Sequence, residues 1–174
     1  VWAGAIIGLL ELKPGQRVAD ICCGHCRHTL PLQQAGLSMI GLDVSGMMLH
    51  VASELAREQG MTPCLVQGFA QMLPFADGAF DAALNLFNSM GYMDDEQNRA
   101  MLEEIARCLK PGGRFLLDTR NAQGRVTGLQ QTSFPSCSRS ARKVLLVTGD
   151  VAQATRVLRD AVARQPKMAE LRIH

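Results

Sequence analysis

The chain lacks any apolar run long enough to cross a membrane. Its opening stretch AGAIIGLL, residues 3–10, falls far short of the roughly 20 residues that a span requires and reads as a helix. No leader is expected either, because Glu11-Leu12-Lys13-Pro14-Gly15 follows and reads as a helix ending in a turn rather than a cleavage site; a cytoplasmic location is expected. Charge of one sign is missing too. With 18 Lys and Arg against 16 Asp and Glu, the net charge of +2 points to no polyanionic partner, so nucleic acid and membrane are not expected among its ligands. A spaced disulfide framework is absent: of six cysteines, Cys22, Cys23 and Cys26 crowd together while Cys64, Cys108 and Cys137 stand apart, which suits a reducing compartment. There is no internal repeat.

What is present is a regular alternation. After the Pro-Gly turn, residues 16–22 form an apolar run that predicts a strand, and 27–35 the helix it feeds. Residues 37–43 predict a second strand, and Ser45 an N-cap for a helix whose apolar face is Met48, Leu49, Ala52, Leu55 and Ala56, ended by Gly60. Strands are expected at 64–67, 80–86 and 114–118. Between the last two, Asp94 and Gln97 stand at capping-box spacing before the stripe Met101, Leu102, Ile105, Leu109, and Pro111-Gly112-Gly113 stops the helix. The class is α/β: a Rossmann-like, doubly wound, mostly parallel sheet with helices on both faces. One domain is expected, with a cofactor-binding core over 1–121, a loop or lid over 122–142 rich in Gly, Ser, Gln and Arg, and a strand and helix over 143–174, the helix capped by Asp150; 168–173 suggests a last short strand.

In such sheets ligands bind beyond the carboxyl ends of the strands, so the stretch VADICCGHCRHT stands where a nucleotide-like cofactor would lie. Asp43 ends the second strand nineteen positions after Gly24, close to the offset at which an acid meets ribose hydroxyls. A nicotinamide site would want glycines at 22, 24 and 27, where the chain has Cys22, Gly24 and Arg27. Cys23-Gly24-His25-Cys26 also spells a redox C-x-x-C, and Cys22, Cys23, His25, Cys26 and His28 offer soft metal ligands. The order of elements is not thioredoxin-like, however, and no second ligand pair follows. The cysteines are therefore read as small buried residues, with no metal expected.

Four segments, in order along residues 5–121, carry a family resemblance. VADICCGHCRHT resembles V-L-D-x-G-C-G-T-G-R-H-T, the first motif of the class I S-adenosylmethionine-dependent methyltransferases. GLDVSGMMLHVA is similar to the second, G-x-D-x-S-x-x-M-L-x-x-A. QMLPFADGAFDAAL resembles the L-P-F-x-x-x-x-F-D stretch before the fourth strand, and IARCLKPGGRFLLDT the helix, turn and fifth strand that follow. NLFNSMGYMDDEQN and LLDTRN are further like bacterial members that methylate small molecules. The resemblance implies S-adenosylmethionine as cofactor and a small-molecule methyl acceptor. It implies Asp43 on the ribose, Val44 and Met48 flanking adenine, Asp20 orienting the loop or the ligand's amino group, and Gly24, Cys22, Ala70 and Asn85 among the cofactor contacts. Arg27 and His28 are candidates for the ligand's carboxylate, and Asn85, Phe87 and Asn88 for the methyl-transfer site; no catalytic base is assigned.

Three departures accompany the match. Cys22 and Cys26 replace the motif's first and third glycines, and Phe69 stands where many members carry an Asp for the adenine amino group. Were positions 22 or 26 left-handed, each β-carbon would cost about 1–2 kcal/mol. These departures, with a C-terminal segment unlike the family's closing strand pair, motivate a second expectation: a non-catalytic scaffold with impaired cofactor binding.

Overall fold

The computed structural model describes residues 2–87, 89, 93–120, 130–132 and 142–147. Its elements run α1 (Trp2–Leu10), β1 (Arg17–Ile21), α2 (Thr29–Gln34), β2 (Ser38–Asp43), α3 (Gly46–Glu58), β3 (Cys64–Gln67), β4 (Phe80–Asn85), α4 (Asp95–Cys108), β5 (Leu109–Arg120), β6 (Gln130–Thr132) and β7 (Arg142–Val147). The sheet order is β3-β2-β1-β4-β5-β7-β6. The first five strands are parallel, and β7 runs antiparallel to both β5 and β6. Because β1 pairs with β2 on one side and β4 on the other, the winding reverses at β1, and the cleft beyond its carboxyl end is the switch point.

Alternation along the central strands fills both faces. Val18, Met39, Ala82, Leu84 and Leu116 pack with Ile6 and Leu10 of α1 and Leu32 of α2. The intervening residues Ala19, Ile21, Leu42, Ala83, Phe115 and Leu117 pack with Met101, Leu102, Ile105 and Cys108 of α4. Strands covered on both sides read as continuous apolar runs, as parallel sheets do. Helix α3 sets Leu49, Ala52 and Ala56 against Cys23, Cys26 and Leu30 of the first loop and α2. Its start is fixed by Ser45, whose side chain accepts from the Met48 amide at 3.3 Å. At α4, Asp94 accepts from the Gln97 amide at 2.8 Å while the Gln97 side chain accepts from the Asp94 amide at 3.3 Å, a reciprocal pair that satisfies two otherwise orphaned donors.

Two differences from the expected elements have local causes. Strand β5 begins at Leu109 and runs through the Pro-Gly-Gly, with a register shift opposite Phe80 and Ala82. A β-carbon on Gly113 would lie 2.8 Å from the Lys110 carbonyl oxygen, so the tight passage from helix to strand demands glycine there. Within the expected loop over 122–142, Gln130–Thr132 forms β6 and pairs with β7, so the C-terminal segment does supply an antiparallel strand pair beyond β5. Three polar residues leave no period to detect. The helix expected from Asp150, the strand at 168–173 and Asn88 lie outside the described residues. Among the described residues no helix is long and apolar enough to cross a membrane.

Candidate functional site

The loop after β1 turns three times through left-handed backbone: Cys22 at φ 62°, Gly24 at φ 56° and Cys26 at φ 63°. Such a conformation is natural for Gly24 and costs a residue with a β-carbon about 1–2 kcal/mol, so both cysteines carry the strain foreseen for them. They do not share a fate beyond that. Cys22 borders the cleft, whereas the Cys26 side chain is wholly buried and joins the cluster under α3. Of the two left-handed cysteines, only Cys22 borders the space where a ligand would lie.

Two acids close the ends of β1 and β2. Asp20 is buried and accepts from Thr29 Oγ1 at 2.6 Å. Burial above all pushes its carboxyl from 3.8 up to about 6; the Thr29 bond opposes this, and the neighbouring Asp43 charge adds to it. Asp43 accepts from the Gly24 amide at 2.8 Å through one oxygen and from the Ser45 amide at 2.9 Å through the other. A carboxylate has about four acceptor positions, so each oxygen keeps capacity for a ligand hydroxyl. Burial, with both acids nearby, raises the Cys22 thiol to about 11 against the pull of hydrogen bonds to Ser89 and Asn85, which leaves it a neutral wall and not a nucleophile.

Above this floor opens a cleft of about 710 Å³. Asp20, Cys22, Gly24, Asp43, Val44, Met48 and Ala70 all border it. Val44, Met48 and Phe69 are 55 %, 45 % and 61 % exposed, a concentration of uncovered apolar surface along one wall of the cleft. Phe69 thus supplies an apolar face in place of the polar anchor. Arg107 steadies the segment behind that wall: its guanidinium donates to the Leu73 carbonyl at 3.0 Å and the Phe75 carbonyl at 2.8 Å, and pairs with Asp77 and Glu104.

Asn85 does not border the cleft. It is fully buried on the α4 side of β4, where its Nδ2 donates to the Ile21 carbonyl at 3.0 Å and holds the point at which β1 becomes the loop. Arg27, His28 and Phe87 line the far arm of the cleft. The Arg27 guanidinium lies 4.8 Å over the Phe87 ring. His28 is buried against Phe87 and Trp2, with ring centroids 5.2 and 6.2 Å away. Burial first, then Arg27 and His25, lowers it to about 4, so at neutral pH it presents to the cleft an uncharged imidazole and not a cation. Ser89, Met93 and Gln97 also line this arm and were not among the expected site residues. The capping box at α4 was the available signal, since it fixes where that helix begins. Among the described residues no group of three or more metal-ligating side chains gathers.

Comparison with known proteins agrees with this fold. Residues 18–113 match the family model described as a methyltransferase domain. The chain is 36% identical over 108 residues to an uncharacterized methyltransferase of Synechocystis sp., covering 62% of this chain and 49% of the relative. It is 38% identical over 115 residues to a demethylmenaquinone methyltransferase of Corynebacterium kroppenstedtii, covering 66% and 46%. Among solved structures, the [4+2]-cyclase SpnF superposes with a TM-score of 0.62 at 28% identity, covering 71% of this chain and 47% of the cyclase. The chain thus spans about half the length of the relatives it matches. With more than half of its residues inside the matched model and the sheet wound in the order the motifs require, the chain belongs to the class I S-adenosylmethionine-dependent methyltransferases.

Proposed function

We propose that the chain forms the cofactor-binding core of an enzyme that methylates a small-molecule acceptor with S-adenosylmethionine. The observation that carries this reading is the Asp43 carboxylate, fixed between the Gly24 and Ser45 amides at the switch point and opening onto an apolar-walled cleft large enough for the ligand. The residues present fit the cofactor. Asp43 would accept from the ribose hydroxyls, Val44 and Met48 would flank the adenine with Phe69 and Ala70 closing the apolar side, and Gly24 has open space over its Cα for close approach. Asp20 would face the cationic end, where a positive charge favours its ionised form. Bound there, S-adenosylmethionine supplies a methyl group already activated on a sulfonium. The protein's task is then to align the acceptor and exclude water. The small-molecule acceptor is supported by the name of the demethylmenaquinone relative.

A second reading is favoured by the left-handed Cys22 and by Phe69, both at the cleft; the SpnF likeness adds that a fold of this kind also carries a protein named for a cyclisation. On that reading the cleft binds the cofactor weakly or serves interaction without methyl transfer, with Cys22 and Phe69 as the altered contacts. Calorimetric titration with S-adenosylhomocysteine separates the two. The methyltransferase reading expects saturable heat at micromolar ligand; a folded protein silent at millimolar ligand would favour the scaffold.

A further inference from the structure

The cofactor site leaves the thiols of Cys23 and Cys26 without a role. The Cys26 amide donates to the Cys23 carbonyl at 3.0 Å, a turn that brings the two Cα atoms within about 7 Å and so to the edge of disulfide reach. The side chains already converge, with Cys26 Sγ 3.7 Å from Cys23 Sγ. Both sulfurs lean on one spot of β2, at 2.9 and 3.3 Å from where a β-carbon on Gly41 would stand. Cys22 turns elsewhere, toward Asn85 and Ser89. Cys23 borders the cleft while Cys26 is sealed behind it, so a reagent entering the cleft meets Cys23 first and finds Cys26 in contact with it.

We propose that Cys23 and Cys26 are a dithiol modification site that closes to a disulfide within the loop and, in closing, pulls Gly24 away from Asp43. The co-reactant is a small-molecule disulfide such as oxidised glutathione. The Cys23 thiolate attacks one sulfur of that disulfide and releases one glutathione thiolate. Cys26 loses its proton and displaces the second glutathione from Cys23, so that two protein thiols and one disulfide become one protein disulfide and two glutathione thiols. Contraction from 3.7 Å to a covalent bond of about 2.0 Å acts across the turn that contains Gly24, whose amide is held on Asp43 at 2.8 Å. The contact between the two sulfurs, with burial, raises the Cys23 thiol while the same contact lowers that of Cys26, so attack begins with the Cys23 proton passing to the Cys26 sulfur and quickens as pH rises. The site goes beyond methyl transfer, since it closes whatever the cleft binds.

The test incubates reduced protein with oxidised glutathione and follows peptide mapping by mass spectrometry together with hydrogen exchange at the Gly24 amide. The expected result is a Cys23–Cys26 bridge with two hydrogens lost, Cys22 still free, exchange at Gly24 faster by about tenfold, and reversal by dithiothreitol. Cys26→Ser should stop at a glutathione adduct on Cys23, and Cys22→Ser should still form the bridge. A persistent glutathione adduct on the unaltered chain, a bridge through Cys22, or a bridge that leaves Gly24 exchange unchanged would each overturn the proposal. Absence of binding to S-adenosylhomocysteine by the reduced protein would count against the methyltransferase reading alone and leave the dithiol site standing.

Discussion

At the scale of single residues, Asp20 couples stability to the site's chemistry. Its carboxyl titrates near 6 in the fold against 3.8 ordinarily, so the folded state binds the proton more tightly than the unfolded chain does. The stability this proton confers is therefore complete below about pH 4 and is lost as pH rises through about 6, a penalty of about 3 kcal/mol at neutral pH. Asp20→Asn keeps an acceptor for Thr29 and removes the penalty. Urea unfolding should show it more stable than the parent by up to about 3 kcal/mol at about pH 8 and indistinguishable at about pH 4, with affinity for S-adenosylhomocysteine reduced. Equal stabilities at both pH values would refute the burial argument. The cysteines make an opposed pair. Cys22→Gly should gain about 1 kcal/mol by relieving a left-handed β-carbon at the cleft wall. Cys26→Gly relieves the same strain but empties a fully buried site, and should gain nothing or lose stability. Chemical denaturation of the two variants measures that difference in sign. The substitutions themselves were plain in the sequence. Which thiol faces the cleft was not, because the direction of a side chain in a loop follows from dihedral angles and not from any period.

Among the elements, legibility followed the strength of local signals. Helices α3 and α4 were apparent from Ser45 and from the Asp94–Gln97 box because a cap and an amphipathic stripe agree at each. The place of Asp43 at the end of β2 was apparent because an acid closing an apolar run is a local pattern. Asn85 was misplaced for a reason of register: it shares a face of β4 with Ala83, the face covered by α4, and so its amide turns to the Ile21 carbonyl behind the wall. Strand β6 owes its existence to pairing with a distant partner, which no local composition announces. Strand β2 contributes a constraint of its own at Gly41. A β-carbon there would meet Cys23 Sγ at 2.9 Å, Leu65 Cδ2 at 3.1 Å and Cys26 Sγ at 3.3 Å. Gly41→Ala should cost about 1–3 kcal/mol by overpacking, and Cys23→Ala in the same chain should recover part of it. Thermal unfolding of the single and double variants checks this; additive losses would mean that the sulfurs are not the obstacle.

For the molecule as a whole, the cleft draws its floor and walls from the ends of β1, β2 and β4 and from the first turns of α3 and α4, so a ligand there ties both halves of the sheet together. S-adenosylhomocysteine at a hundredfold excess over its dissociation constant should stabilise the fold by about 2.7 kcal/mol, a rise of about 5–10 °C in melting temperature. An unshifted transition by scanning calorimetry would deny the cleft its ligand. The same architecture has an optical corollary. The sequence holds a single tryptophan, and its ring rests 6.1 Å from Phe87 and 6.2 Å from His28, two side chains that border the cleft. That indole's emission is consequently a built-in gauge of occupancy in the far arm, so the arrival of a colourless guest can be timed without attaching a dye.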